Sequence, residues 1–213
     1  MLLSAATALL FGQFLVNAAA IQQRSDGLVN STDCSDVHLI IGRGTTESYP
    51  GSLATLAELI TEENPGTTYE SIIYPATSET STNSSHIGKV AARDQITSYV
   101  TKCPDAKTVL LSYSQFCSAV TAIVFYGDPR HAPCQFYNKG RNQFDTFNVT
   151  GKYPRLDWQI SHLTSNYGHR IADFCNVGDP VCASGDNLTA HLVYPTLWDT
   201  TAAAWVQDML DKA

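Results

Sequence analysis

Residues 108–126 have the sequence TVLLSYSQFCSAVTAIVFY, in which two apolar runs flank a short junction. The runs, 108–112 and 120–126, lack the polar alternation of a strand that has one face in water. Near-continuous apolar runs of this length are typical of strands buried on both faces of a parallel sheet. We therefore predict two strands of such a sheet here.

The rest of the chain alternates in the same way. Further strands are predicted at 34–41, 72–74 and 170–174, helices at 52–64, 87–100 and 201–210, and loops at 42–51, 78–85 and 128–155. This alternation predicts an α/β fold, a three-layer sandwich with a central, mostly parallel sheet between two helix layers. In such folds the functional groups lie on loops at the carboxyl ends of the strands.

Composition limits the function classes. The chain has 213 residues, 44% of them hydrophobic and 15% charged, which suits one compact globular domain. The net charge is −7 and there is no cluster of Lys or Arg. Nucleic acid is therefore excluded as a partner, because phosphate binding needs a basic surface.

The amino terminus predicts secretion. Residues 1–20 carry no charged side chain and end in Ala18-Ala19-Ala20, so we expect a signal peptide, with 21–213 as a single domain. The alternative is a membrane anchor, for which the apolar run is short. Six cysteines and four N-x-S/T sequons agree with an oxidising compartment; the sequons are at Asn30, Asn83, Asn148 and Asn187.

The predicted strand 108–112 runs directly into a candidate nucleophile, Ser114. In α/β-hydrolases the nucleophilic serine stands on a sharp strand-to-helix turn with the pattern G-x-S-x-G. Here the pattern is S-Y-S-Q-F, so Ser112 and Phe116 replace the two glycines. The alternative is an ordinary turn.

Other motifs follow in an order that resembles the cutinase and acetylxylan esterase family, carbohydrate esterase family five. They are RGTTE at 43–47, YPA at 74–76, CPD at 103–105, YSQ at 113–115, GDPRH at 127–131, CxxGDPxC at 175–182 and HLxY at 191–194. Each motif is common alone, but together they are specific and extend over about residues 34–210. The resemblance implies an α/β-hydrolase fold of the cutinase type.

The resemblance also implies a role for each candidate residue. Ser114 would attack the ester carbonyl, His191 would take its proton, and Asp179 would orient His191. The chain order Ser, Asp, His is that of α/β-hydrolases. The backbone N–H of Gln115, with the N–H and hydroxyl of Thr45, would stabilise the oxyanion.

Each role has a simpler alternative. Asp179 lies in a Gly-Asp-Pro turn sequence, and His191, expected on the following loop, is one of six histidines. His131 is a competing base, although the resemblance places it in a structural loop. Thr45 could simply cap its loop, and Arg43 could form an ion pair with Glu47 that stiffens it.

The resemblance further implies disulfide bonds Cys34–Cys103 and Cys175–Cys182. The second would hold the loop that carries Asp179. A zinc site formed by Cys175, Cys182 and His191 is the rival interpretation, but a fourth ligand is lacking. Cys117 and Cys134 are left over, and their pairing is open.

One feature conflicts with the resemblance. Only residues 115–119 separate Ser114 from the next predicted strand, whereas a parallel crossover needs a dozen or more residues. We expect that this chain lacks a few tens of residues, and that the junction is too short to form a helix and start a parallel neighbour. A skipped exon or a divergent family member would explain this.

The function that the resemblance implies is hydrolysis of carboxylic esters through an acyl-enzyme, without metal or cofactor. The expected substrate is a plant polymer, cutin-like polyester or acetylated xylan, with the motifs favouring the cutinase side slightly. We expect a monomer that acts without membrane or nucleic acid. The alternatives are an impaired or silent secreted relative, with weak or absent activity until the missing segment is restored, and a structural disulfide-stapled protein.

Overall fold

The computed structural model describes residues 28–77, 81–113, 120–140 and 148–213. The strands in these ranges form one sheet in the order β1-β3-β2-β4-β5-β7-β6, and every pair is parallel. The predicted parallel α/β sheet is thus confirmed. The strand bounds are β1 Val29–Asn30, β2 Val37–Gly42, β3 Thr68–Ser71, β4 Lys107–Tyr113, β5 Ala122–Tyr126, β6 Asn138–Lys139 and β7 Ile171–Phe174.

Helices cover both faces of this sheet, as the three-layer prediction requires. Their bounds are α1 Ala54–Glu63, α2 Ser81–Lys102, α3 Asp157–Tyr167, α4 Leu188–Leu192 and α5 Tyr194–Asp211, with a 3-10 turn at Gly168–Arg170. Successive strand residues point to opposite faces, and this alternation divides the core in two. On β4, Val109 and Leu111 pack on the side of α1 and α5, whereas Leu110 packs on the side of α2 and α3.

The third strand lies upstream of its predicted position, so the prediction of a strand at 72–74 is wrong. Pairing with β2 uses Thr68–Ser71, and Ile73 is 64% exposed. Two polar side chains of β3, those of Thr68 and Glu70, contact a single side chain from β2. His38 Nδ1 lies 2.8 Å from Thr68 Oγ1, and its Nε2 lies 3.3 Å from Glu70 Oε1. A strand stabilised by polar contacts has no hydrophobic pattern to reveal it.

The helices differ from prediction in three places. The helix α2 begins at Ser81, within the stretch predicted as polar loop. The helix α3 was not predicted, because Leu163 is its only buried residue and the hydrophobic period is weak. The predicted carboxyl-terminal helix at 201–210 is part of the longer α5, which begins at Tyr194.

The junction between β4 and β5 is long enough for a parallel connection, contrary to prediction. Eight residues, 114–121, join strands whose register pairs Val109 with Ala122 and Tyr113 with Tyr126. The chain must return by four residue steps, or about 13 Å, and eight residues can span up to about 26 Å. The prediction that this junction is too short to form a helix concerns residues 114–119, which lie outside the described residues.

Candidate active site

The carboxyl ends of four adjacent strands, β2, β4, β5 and β7, lie side by side at one edge of the sheet. Gly42 at the end of β2 pairs with Ser112 on β4, and Tyr113 pairs with Tyr126, which in turn pairs with Phe174. In the sequence, three predicted site residues follow these ends: Thr45 after β2, Ser114 after β4 and Asp179 after β7. Gly127, which was not a predicted site residue, directly follows β5.

Asp179 and His191 form a hydrogen-bonded pair at this edge. The Nδ1 of His191 lies 2.9 Å from Oδ2 of Asp179. The carboxylate is fully buried, whereas the imidazole is 13% exposed. His191 lies in the short helix α4 rather than on the expected loop, and Asn187 caps this helix by accepting the N–H of Ala190. The pair has the geometry of a base held in one tautomer by an acid.

Asp179 accepts four hydrogen bonds. Its Oδ2 accepts from His191 and, at 2.6 Å, from the hydroxyl of Tyr194; its Oδ1 accepts the backbone N–H groups of Val181 at 2.6 Å and Cys182 at 3.2 Å. Burial by itself would raise the pKa of Asp179, but the hydrogen bonds from His191 and Tyr194 outweigh it and hold the pKa below its ordinary value. The carboxylate is therefore ionised at neutral pH.

Tyr113, the residue before the predicted nucleophile, contacts the base directly. Its ring lies edge-on to the His191 ring at 5.3 Å, and its hydroxyl donates to the carbonyl of His191. Ser114 and Gln115 lie outside the described residues. Tyr113, the last described residue of β4, thus contacts His191 and directly precedes Ser114 in the sequence.

Gly127 leaves room for the pair. Its φ is +59°, and a Cβ there would lie 2.7 Å from Cε1 of His191 and 3.2 Å from Oδ2 of Asp179. Both the left-handed backbone and the close approach require glycine. The sequence contained Gly127 in the GDPRH motif, but only the fold shows what it contacts.

The loop with the RGTTE motif packs beside Tyr113, and Thr45 on it is exposed. A Cβ on Gly44 would lie 3.0 Å from Cδ1 of Tyr113. The Glu47 carboxylate accepts the N–H of Gly44 at 2.6 Å, which closes the loop on itself. Arg43 instead donates to the backbone carbonyls of Glu47 and Tyr74, so the suggested Arg43–Glu47 ion pair is replaced by main-chain contacts.

His131 does not reach this site. Its side chain is fully buried, and its Nδ1 lies 2.7 Å from Oδ2 of Asp173 on β7. A histidine with no exposed surface cannot meet a substrate from solution. Its contacts agree with the structural role that the resemblance implied.

The structure contains the two disulfide bonds implied by the resemblance, Cys34–Cys103 and Cys175–Cys182. Because Cys175 and Cys182 are bonded to each other, they are not thiolates, which argues against the zinc alternative. Cys134 is exposed and its Sγ lies 3.3 Å from Oδ1 of Asn148. Cys117 and Phe116 lie outside the described residues.

Comparison with known proteins agrees with the fold. The family model described as cutinase matches residues 33–210. An acetylxylan esterase of Hypocrea jecorina is 28% identical, covering 97% of this chain and 76% of that protein, and Cutinase 11 of Verticillium dahliae is 28% identical, covering 93% and 77%. The catalytic core of the Trichoderma reesei acetyl xylan esterase superposes with a TM-score of 0.72 at 27% identity, covering 83% of this chain and all of that one.

The match to the Hypocrea jecorina protein also bears on the length of this chain. It extends over 243 aligned residues, more than the 213 residues of the whole chain. The relative therefore has residues without a counterpart in this chain.

Proposed function

The chain belongs to the cutinase family, and from that membership we propose that it is a secreted serine esterase whose catalytic residues are Ser114, Asp179 and His191. The observation that carries this proposal is the Asp179–His191 pair, held at 2.9 Å beside the end of β4. The pair supplies the general base that a serine hydroxyl needs before it can attack an ester.

The proposed reaction proceeds in two halves. His191 takes the proton of Ser114 at Nε2 while the serine oxygen bonds to the ester carbonyl carbon, and the protonated ring then gives that proton to the departing alcohol oxygen. Water repeats the sequence on the acyl-enzyme and releases the acid. Asp179 stabilises the protonated ring through Nδ1. The backbone N–H of Gln115 and the N–H and hydroxyl of Thr45 are assigned to the oxyanion.

Exposed apolar side chains around the base favour a hydrophobic ester. Leu188 and Leu192 on α4 are 60% and 62% exposed, and Val177 in the preceding loop is 48% exposed. These residues flank His191 and Asp179, where an acyl chain or a polyester surface would lie. We therefore propose cutin-like polyester ahead of acetylated xylan.

Hydrolysis of a p-nitrophenyl ester tests the proposal. The chain should release p-nitrophenol, and Ser114→Ala and His191→Ala should each lose nearly all of that activity while their unfolding curves stay close to that of the parent. A fluorophosphonate should label Ser114 in the parent and in neither variant. Undiminished hydrolysis by Ser114→Ala, or labelling elsewhere, would refute the assignment.

A second candidate is an impaired family member. The aligned region that exceeds the chain length, and the eight-residue connection from β4 to β5, favour it. If the chain is impaired, inserting after Gln115 the residues of the Hypocrea jecorina relative that have no counterpart in this chain should raise the rate of ester hydrolysis. Equal rates with and without the insert would refute impairment.

Secretion is the remaining part of the proposal. The predicted signal peptide, 1–20, lies outside the described residues, but two disulfide bonds and four exposed sequon asparagines support an extracellular protein. Within the described ranges no helix is long and apolar enough to cross a membrane. The protein recovered from culture medium should begin near Ile21 and lose mass on treatment with an N-glycosidase.

A further inference from the structure

We propose that Tyr194 is a positioning residue for this site: its hydroxyl donates to the same Asp179 oxygen that holds His191, and so sets the pH range in which the pair operates. This inference deepens the proposed function and rests on it. Its structural basis is the convergence of two donors on one atom, with Tyr194 Oη at 2.6 Å and His191 Nδ1 at 2.9 Å from Asp179 Oδ2.

The contacts of the Tyr194 hydroxyl fix the direction of its proton. The backbone N–H of Asn176 donates to the hydroxyl oxygen at 2.8 Å, so the single hydroxyl hydrogen remains for an acceptor. The Asp179 carboxylate at 2.6 Å is a far better acceptor than the Sγ of Cys182 at 3.2 Å. Burial, followed by the charge of Asp179, raises the pKa of Tyr194 far above its ordinary value, so the phenol stays protonated and remains a donor.

Packing holds the hydroxyl in place. Tyr194 has no exposed surface, its ring is stacked on Tyr126 at 5.3 Å, and it meets Tyr113 edge-on at 5.9 Å. It is also the first residue of α5, two positions after α4 ends at Leu192. The donor is therefore fixed relative to the acid without any need for water.

Removal of this donor should change the pH response of the pair. The hydrogen bond from Tyr194 helps to lower the pKa of Asp179. Without the Tyr194 hydroxyl, Asp179 protonates more readily. The Oδ2 atom then has His191 as its only side-chain donor, so its negative charge stabilises the protonated imidazole more strongly. Both effects move the loss of activity at low pH to a higher pH.

The other ionisable groups around the pair stay unchanged in this comparison. They are Tyr113 on β4, which donates to the His191 carbonyl, Asp173 on β7 and Glu47 in the loop after β2. None of them contacts the Tyr194 hydroxyl within hydrogen-bonding distance. A change in the pH response can thus be assigned to the lost donor.

The test compares Tyr194→Phe with Tyr126→Phe. The control removes an equally buried hydroxyl from the ring stacked on Tyr194, but one that donates to Asp199 at 3.0 Å. We measure kcat/KM for p-nitrophenyl butyrate as a function of pH and compare the acid limb, the fall in kcat/KM at low pH. The midpoint of the acid limb should move to higher pH by about 0.5–1 unit in Tyr194→Phe and stay at the parent position in the control. If the acid limb has the same midpoint in all three proteins, or shifts equally in both variants, Tyr194 only packs beside the site and this proposal is refuted.

Two further measurements keep the test decisive. Replacing Tyr194 by 3-fluorotyrosine gives a stronger donor and should move the acid limb in the opposite direction, to lower pH. The imidazole C–H resonances of His191 report its titration by NMR without any need for turnover. If the parent hydrolyses no ester, the proposed function fails, and an unmoved NMR titration in Tyr194→Phe would separately overturn this inference.

Discussion

Gly127→Ala tests whether the space beside the Asp179–His191 pair is a requirement of the reaction. The new Cβ would lie 2.7 Å from Cε1 of His191, whereas ordinary contacts begin at 3.4 Å, so the ring must move by about 0.7 Å. Catalytic misplacement of about 1 Å can cost about 100-fold, so we expect kcat/KM to fall on the order of 10–100-fold. The left-handed backbone adds a loss of about 1–2 kcal/mol in the free energy of unfolding.

Gly66→Ala is the matched control. Gly66 also has a positive φ, +89°, but its Cβ would meet nothing within 4 Å. It should lose a similar amount of stability and keep the parent kcat/KM for a p-nitrophenyl ester. Urea unfolding and initial rates measured on the same preparations separate the two effects. Full activity in Gly127→Ala, or an equal loss of activity in Gly66→Ala, would refute the steric argument.

Three further predictions concern the surroundings of the site. Burial raises the pKa of Asp199 to about 6. Ionising this carboxyl in the folded protein therefore lowers the free energy of unfolding as the pH rises from about 4 to about 6. Over that interval, the free energy of unfolding of Asp199→Asn, measured by urea unfolding, should rise by about 2–3 kcal/mol relative to that of the parent. Replacing Cys175 and Cys182 together by serine should cost about 2–3 kcal/mol and lower kcat as well, because the loop that holds Asp179 loosens; unchanged kcat would contradict this. His131→Asn should lose about 3–5 kcal/mol in the free energy of unfolding yet keep kcat in its folded fraction, and abolished turnover there would restore it as a competing base.

The sequence predicted those parts of the fold that depend on apolar burial. β2 and β5 are buried along their whole length, and β4 is buried from Thr108 onward, so their apolar residues alone identify them. β3 was not predicted at its true position because its buried Thr68 is polar. The hydrogen-bond partner of Thr68 is His38 on another strand, a contact that only tertiary structure creates. α4 has five residues, too few for a helical period to be visible.

The candidate site was predictable from motif order but not in its contacts. Asp179 and His191 are twelve positions apart in the chain, and the hydrogen bond between them depends on how the loop after β7 meets α4. The tyrosine of the HLxY motif was visible in the sequence as well. Its hydroxyl matters only because α5 begins beside Asp179, and no spacing rule specifies that.

The most direct measurement is a crystal structure of the protein after reaction with a phosphonate ester. We expect a covalent bond from phosphorus to Oγ of Ser114, with Nε2 of His191 within about 3 Å of that oxygen. The phosphoryl oxygen should accept the N–H groups of Gln115 and Thr45. An unmodified Ser114, or an adduct that lies beyond hydrogen-bonding reach of His191, would contradict it.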